Sequence, residues 1–498
     1  MRRSVLPTVL LGAGLPAMLL AAAPLAAQES ASAAATPAMP AGAAGPVDYG
    51  PSEGVLTLDE VLDASAATAP QIIAALTRTR QAEARALSAQ GAFDTVFSAE
   101  GTSRVEGYYD GSEVHGEAKQ PLSTNGGYVY GKYRASRGSF PVYEDEKYTN
   151  KLGELKVGAL YSLLRDRLND ARRSKTMLAA NDIDIARFEA QATAIGVQAR
   201  AAAAYQKWVS AGLKLRAYEE LLALAETRNR AITRQVQLGA RPEILLVENE
   251  QNLVKRTALV VQAEQDFRAA ANGLSLYYRD ANGTPRLVGP ERLPESIGAF
   301  SAMALDADFT IEDRPDMQIL LEQIDQATTG LALAENDLRP RLDAFGEAGK
   351  DIGAEGLGGS SRTPFEVKLG FRFTVPLQNR AARGKLAEAE AKIDELSIKQ
   401  DYLRDQIRAE VAGLGIAVEG ARRLVDTSTR ERDLARRLAV AERRRFELGS
   451  SDFFLVNQRE ETATDAQVKL IEAMARIAGA RTDLAAARAD RGALGLAQ

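Results

Sequence analysis

The chain of 498 residues contains no cysteine, and that absence excludes disulfides, thiolate metal sites, thiol nucleophiles and a lipid-anchoring cysteine together. Histidine is nearly absent too: His115 is the only one, in a stretch rich in glycine and tyrosine, and is not expected to be a ligand or a catalyst. A nucleophile elbow, a phosphate loop and a dinucleotide fingerprint are all missing. No enzyme activity, cofactor or metal is therefore expected. Beyond the N-terminal segment no 18 consecutive residues are apolar, so no transmembrane helix is expected. Basic residues hold no surplus. Without Arg2 and Arg3 there are 60 of them against 67 acidic residues, a net charge of −7, and nucleic acid is not an expected partner.

What is present begins with a leader. Met1-Arg2-Arg3 precedes an apolar run from about Val5 to Ala27, broken by Pro7, Pro16 and Pro24. A basic start, an apolar middle and a small-residue end describe a secretory signal, expected to span 1–27. A membrane-anchor helix is the competing reading, and the prolines fit it poorly. Residues 28–54 are rich in Ala, Pro, Ser and Gly and read as a disordered lead-in. The mature chain should leave the cytoplasm, and if it enters a membrane it must do so with strands.

One motif occurs twice. Leu238-Gly239-Ala240-Arg241-Pro242-Glu243 and Leu448-Gly449-Ser450-Ser451-Asp452-Phe453 stand 210 residues apart, each at the end of a long Ala-, Leu- and Arg-rich helical stretch. Glycine suits the left-handed residue that closes a helix, Pro242 fits the first turn of the next one, and Ser451 or Asp452 can cap the helix that follows Gly449. Each motif, 238–243 and 448–453, reads as the tip of a helical hairpin.

The duplication extends beyond the tips. Pro70-Gln71-Ile72 aligns with Pro315-Asp316-Met317 and Gly101 with Gly346 at a spacing of 245; Glu154, Lys156 and Gly158 align with Glu366, Lys368 and Gly370 at 212. The drop places about 33 extra residues in the first half, assigned to an inserted loop at 115–150. The first repeat spans 55–310 and the second 311–498. Each reads helix, strand, loop, strand, long helix, tip, helix, with helices expected at Leu58–Gln90 and Pro315–Leu338.

Strands are expected at about 93–109, 153–164, 340–350 and 365–377, all with a period of two. Leu155, Val157 and Tyr161, and likewise Val367, Leu369, Phe371, Phe373 and Val375, alternate with polar positions that include Lys156, Lys368 and Arg372. Some ten residues, apolar outward and polar inward, meet the requirement for a strand crossing a bilayer. The first group is expected to face lipid and the second a pore. A buried sandwich would show the same alternation but lacks strands for a second sheet. The long helices carry heptads, with Ala171, Leu178, Ile185, Ala192 and Ala199 on one seam and Phe188, Ile195, Ala202 and Val209 on another.

The leader, duplication, strand pairs and Leu-Gly turns together resemble the TolC-like outer-membrane efflux proteins over about residues 55–495. Arg314-Pro315-Asp316, the helix-to-strand junction at Pro340, and Leu448-Gly449-Ser450-Ser451-Asp452-Phe453-Phe454-Leu455-Val456 carry the resemblance most. It implies a mainly α fold with a small β part. A long coiled-coil α-helical barrel, internally duplicated, would be joined to a transmembrane β-barrel with four strands per chain. It further implies a homotrimer in the outer membrane of a Gram-negative bacterium, with a twelve-stranded barrel and a large periplasmic tunnel. Its partners would be a periplasmic adaptor, an inner-membrane pump and outer-membrane lipid. The implied role is a passive exit duct for tripartite efflux or type I secretion. Members stack short helices in pairs beside long ones, which segments of about 30–35 residues beside one of about 70 would fit. Some carry aspartates after the second tip. Here that stretch reads Leu455-Val456-Asn457-Gln458, so no acidic gate is expected. The absence of cysteine argues against the lipoprotein branch.

The tips are the expected adaptor-docking site: Leu238, Gly239, Leu448, Gly449, Ser450, Phe453 and Phe454. The two phenylalanines either staple the hairpin or anchor a partner. Arg443-Arg444-Arg445 beside them reads as a solvated face. The alternative is a periplasmic coiled-coil scaffold or adaptor without a pore. Two hairpins with four amphipathic strands favour the duct.

Overall fold

Proline and capping residues set the helix ends. The structure, a computed structural model, describes residues 54–294 and 309–496; the expected leader, and the lead-in as far as residue 53, lie outside the described residues. Helix α1 (Leu58–Thr68) is opened by Thr57, whose Oγ1 accepts the Glu60 N–H at 3.2 Å. The single helix expected over Leu58–Gln90 is in fact two. Pro70 lacks the N–H that would continue α1 and disfavours a helical Ala69, which is extended. Helix α2 (Pro70–Gln90) leads into β1 (Val96–Ser103), β2 (Ser112–Pro121), β3 (Tyr128–Arg137) and β4 (Glu154–Ser162). Asp170 then accepts the N–H groups of Arg172 and Arg173 at 2.8 and 3.2 Å and starts α3 (Ala171–Gln237). The chain returns as α4 (Ile244–Ser275). The second half has α5 (Pro315–Leu338), β5 (Arg341–Asp351), β6 (Glu366–Thr374), α6 (Arg380–Glu447) and α7 (Phe453–Ala487). Helices α3 and α6, of 67 and 68 residues, each run about 100 Å.

Helix α3 packs between α2 and α4 on one side and α5 and α7 on the other, while α6 packs against α5 and α7. The helices thus form one layer of four columns: α2 with α4, then α3, then α5 with α7, then α6. The heptad seam of α3 is buried at Ile195, Ala202 and Val209. The largest core lies where α1, α3 and α4 meet, around Leu62, Tyr205, Trp208, Phe267 and Leu274. The two outer columns retain apolar stripes with no partner among the described residues. Ile398, Tyr402, Ile416, Leu434 and Leu438 line α6, and Val247, Val254 and Val261 line α4, all at least half exposed. No helix among the described residues is long and apolar enough to cross a membrane.

All six strands form one antiparallel sheet in the order β1-β2-β3-β4-β5-β6. The expectation of four strands per chain is therefore corrected to six. The segment 115–150 is not a plain loop. Its first part belongs to a hairpin, β2 and β3, laid into the sheet between β1 and β4. The pattern was present in the sequence, with Val114, Gly116 and Ala118 against Glu113, His115, Glu117 and Lys119. Glycine and alanine on the apolar side made it faint, and both residues are poor strand formers. Three of the four expected strands occur within three residues of their predicted ends, with Val375 one residue beyond β6; the first is shorter than expected, β1 stopping at Ser103 instead of near 109.

Candidate functional site

Register makes the sheet two-faced across all six strands. Phe97 pairs with Ala118, Gly116 with Tyr133, Val129 with Ala159, Val157 with Ala348, and Ala344 with Phe371. All of these share one face with Leu155, Tyr161, Val367, Leu369 and Phe373. Along β6 this face is open, with Leu369 83 % and Phe371 77 % exposed. The opposite face carries Glu100, Glu113, His115, Glu117, Lys132, Arg134, Glu154, Lys156, Glu347, Lys368 and Arg372. The expected apolar and polar residues that lie within strands thus fall on opposite faces, while Val375 lies outside β6. His115 sits between Glu100, at 3.7 Å, and its cross-strand partner Arg134, and no cluster of metal ligands occurs among the described residues.

Charges on the polar face are cross-linked. Glu154 takes Arg134 at 2.8 Å and Lys156 at 2.9 Å, and Lys156 reaches Glu347 at 3.5 Å. Tyr130 donates to Glu347 from β3 to β5, passing over Gly158 on β4. A Cβ on Gly158 would meet the Tyr130 ring at 2.5 Å, just as one on Gly370 would meet Phe345. The duplicated glycines are floors for aromatic rings, in the manner of aromatic rescue of strand glycines.

The two tips share one construction. At the first, Gly239 N–H bonds the Val236 carbonyl and Ala240 N–H the Gln235 carbonyl; at the second, Gly449 bonds Phe446 and Ser450 bonds Arg445. Both are Schellman closures, with φ of +72° at Gly239 and +75° at Gly449. Asp452 caps α7 by accepting the Leu455 N–H at 2.7 Å, while Ser451 turns back to Glu442. Leu238, Leu448 and Phe454 are 75 %, 76 % and 72 % exposed. Nothing lies within 4 Å of a Cβ placed on either tip glycine. Phe453, by contrast, is buried against Phe446 and staples the hairpin, so the pair of phenylalanines divides its roles. Arg241 lies over the Phe446 ring at 5.6 Å and brings the tips side by side.

A buried ionic cluster behind the tips was not legible in the sequence. Glu460 on α7 bonds Arg228 of α3, Arg256 of α4 at 3.4 Å and Arg443 of α6 at 3.2 Å. Asn457 accepts from Arg228 at 2.6 Å. Burial pushes the Arg256 guanidinium down from its usual range, and Glu460 works against that shift. Arg443 therefore leaves the expected solvated face, whereas Arg444 stays exposed. One carboxylate ties all four helical columns together. Only the arginine run hinted at it, because its members lie far apart in sequence.

No protein-family model matches the sequence, and no curated protein matches it. Solved structures do match. The outer-membrane channel CmeC of Campylobacter jejuni is similar with a TM-score of 0.59 and 14 % identity, over 91 % of this chain and 93 % of that one. The MtrE outer-membrane channel of Neisseria gonorrhoeae, in its open state, gives 0.60 and 15 %, over 87 % and 88 %. The outer-membrane protein VceC of Vibrio cholerae gives 0.58 and 14 %, over 87 % and 96 %. Along nearly its whole length the chain has the fold of these outer-membrane proteins, the mainly α architecture with a small β part that the resemblance to TolC-like proteins implied.

Proposed function

We propose that the protein is the outer-membrane exit duct of a tripartite efflux or type I secretion system. Three copies enclose one passage, and substrate delivered by a periplasmic adaptor and an inner-membrane pump leaves through it passively. The sheet carries this reading: one of its faces is apolar along the middle of every strand, with Ser103, Ser112, Gln120, Arg137 and Lys350 on it only near strand ends, and both of its edges, β1 and β6, are unpaired among the described residues. In lipid each unpaired backbone group costs several kcal/mol, so the edges must close on further copies. The helical layer is open on the same two sides, because α2 runs into β1 and β6 into α6. Its outer columns carry the unpartnered apolar stripes. At the far end the exposed Leu238, Gly239, Leu448, Gly449, Ser450 and Phe454 offer an adaptor six small contacts per trimer if each tip counts once, and such a set gains from multivalency. A scaffold without a pore leaves the apolar sheet face unexplained.

Fractionation and reconstitution test the proposal. The protein is expected in the outer-membrane fraction, as a trimer in mild detergent, and to conduct ions when placed in a planar bilayer. Release by alkaline wash, or stable insertion of a monomer, would overturn it.

A further inference from the structure

We infer that the hairpin β2–β3 is membrane-spanning barrel wall, so that each chain contributes six strands and the closed barrel has eighteen. The inference rests on the three-chain duct proposed above.

Four observations lead to it. The two hairpin strands have 10 residues each, the length that crosses a bilayer when tilted. Over the middle of the hairpin their faces continue those of the duplicated strands, with Ser112, Gln120 and Arg137 on the apolar side only near the strand ends. Val114, Gly116, Ala118, Val129, Gly131, Tyr133 and Ala135 fall on the apolar side, and Glu113, Glu117, Lys119, Lys132 and Arg134 on the charged side. The hairpin is also built into the wall chemically. Arg134 pairs with Glu154 and Tyr130 with Glu347, so its polar face completes that of β4 and β5. In the second repeat Gly370 of β6 is covered by Phe345 of its neighbour β5. In the first repeat the equivalent Gly158 is covered by Tyr130 of the inserted strand, which therefore takes the neighbour's place.

The turn joining the two strands is anchored as well. Asn125 is fully buried; its Nδ2 donates to the Ser162 carbonyl and its Oδ1 accepts the Ser162 N–H, both at 2.9 Å. Arg173, in the first turn of α3, donates to the Thr124 carbonyl at 3.0 Å. The turn is thus seated on the β4–α3 junction, at the helical end of the sheet.

Width supports the same conclusion. Six strands at about 4.8 Å spacing and about 40° tilt cover an arc of about 38 Å. Four helical columns at about 8–10 Å spacing cover about 32–40 Å. Four strands alone would cover only about 25 Å. The hairpin brings the barrel to the circumference of the helical tunnel beneath it. A barrel of eighteen strands encloses an aqueous lumen, so the membrane part sets no tighter size limit than the helices do.

The absence of cysteine permits a direct test with single-cysteine variants of the full chain. Ala118→Cys and Val129→Cys report the apolar face of the hairpin, Glu117→Cys and Lys132→Cys its charged face, and Val157→Cys and Phe371→Cys the duplicated strands. Each is labelled with a polarity-sensitive fluorophore in vesicles containing spin-labelled lipid. Labels at 118 and 129 should be quenched as strongly as those at 157 and 371, and labels at 117 and 132 should respond only to a water-borne quencher. Unquenched labels at 118 and 129, with 157 and 371 quenched, would put the hairpin outside the lipid wall and overturn the inference. Unquenched labels at 157 and 371 as well would instead remove the membrane barrel itself. Electron cryomicroscopy of the purified oligomer should count eighteen strands; twelve, from any number of chains, would also overturn it.

Discussion

In the proposed barrel a charged side chain on the apolar sheet face would have no water to turn to, whereas its neighbour on the polar face would. Phe371 and Arg372 are adjacent on β6 and point to opposite sides. Phe371→Arg is expected to cost about 2–4 kcal/mol if the site lies near the bilayer midplane. Arg372→Ala should leave folding intact and alter channel conductance. Thermal dissociation of the oligomer, read beside single-channel current, separates the two. Glu460 presents a different single-residue case. Glu460→Ala would leave Arg256, fully buried, with its principal counter-charge gone. Removing one partner of a buried pair costs about 3–5 kcal/mol, so the melting temperature should fall sharply. Glu60 provides a pH test. Burial opposes its charge, but hydrogen bonds from Tyr278 and Arg292 outweigh that and hold its carboxyl below its ordinary value. The stabilisation is therefore present above the ordinary carboxylate range and lost as pH falls through the lowered value. Glu60→Gln should melt earlier than the parent at neutral pH, and the gap should narrow as pH falls below the ordinary carboxylate range and through the lowered value.

At the scale of elements, the tips separate folding from docking. Phe453→Ala removes a buried ring and should destabilise the second hairpin by about 3 kcal/mol. Leu448→Glu with Phe454→Asp changes two side chains that touch little. It should abolish export while oligomer content in the outer membrane stays normal, and normal export by that assembled variant would refute tip docking. The tips could be read from sequence because a Schellman closure nearly requires its glycine, and Gly239 and Gly449 announce the turn by themselves. The duplicated strands were equally plain, since Val367, Leu369, Phe371 and Phe373 are large and alternate strictly. The hairpin between β1 and β4 was missed for the opposite reason. Its apolar face is thinned by Gly116, Ala118, Gly131 and Ala135 between Val114, Val129 and Tyr133, and the glycines around it suggested a loop. The Glu460 cluster could not be read at all, because it forms only when four helices from both repeats lie side by side.

For the whole molecule, the proposed duct makes closure on further copies the governing event. The stripe Ile398, Tyr402, Ile416, Leu434 and Leu438 recurs at intervals of 4 and 18 residues, which keeps it on one side of a helix with 3.6 residues per turn. Nothing among the described residues covers it. Ile416→Glu combined with Leu438→Glu should leave the helical content by circular dichroism unchanged and prevent trimer formation in detergent; a normal trimer would mean that α6 faces something other than the next copy.

The inserted hairpin bears on how such a wall can grow. A strand that leaves the helical side ends on the far side of the sheet, so one added strand would deliver the following chain to the wrong rim. The 67-residue α3 would then begin outside the cell. Two added strands return the chain to its starting rim and leave the inward and outward sense of every later residue unchanged. The perimeter can therefore widen only in even steps. An insertion between Gly101 and Glu154 survives only if it folds as a pair of strands or stays out of the wall altogether.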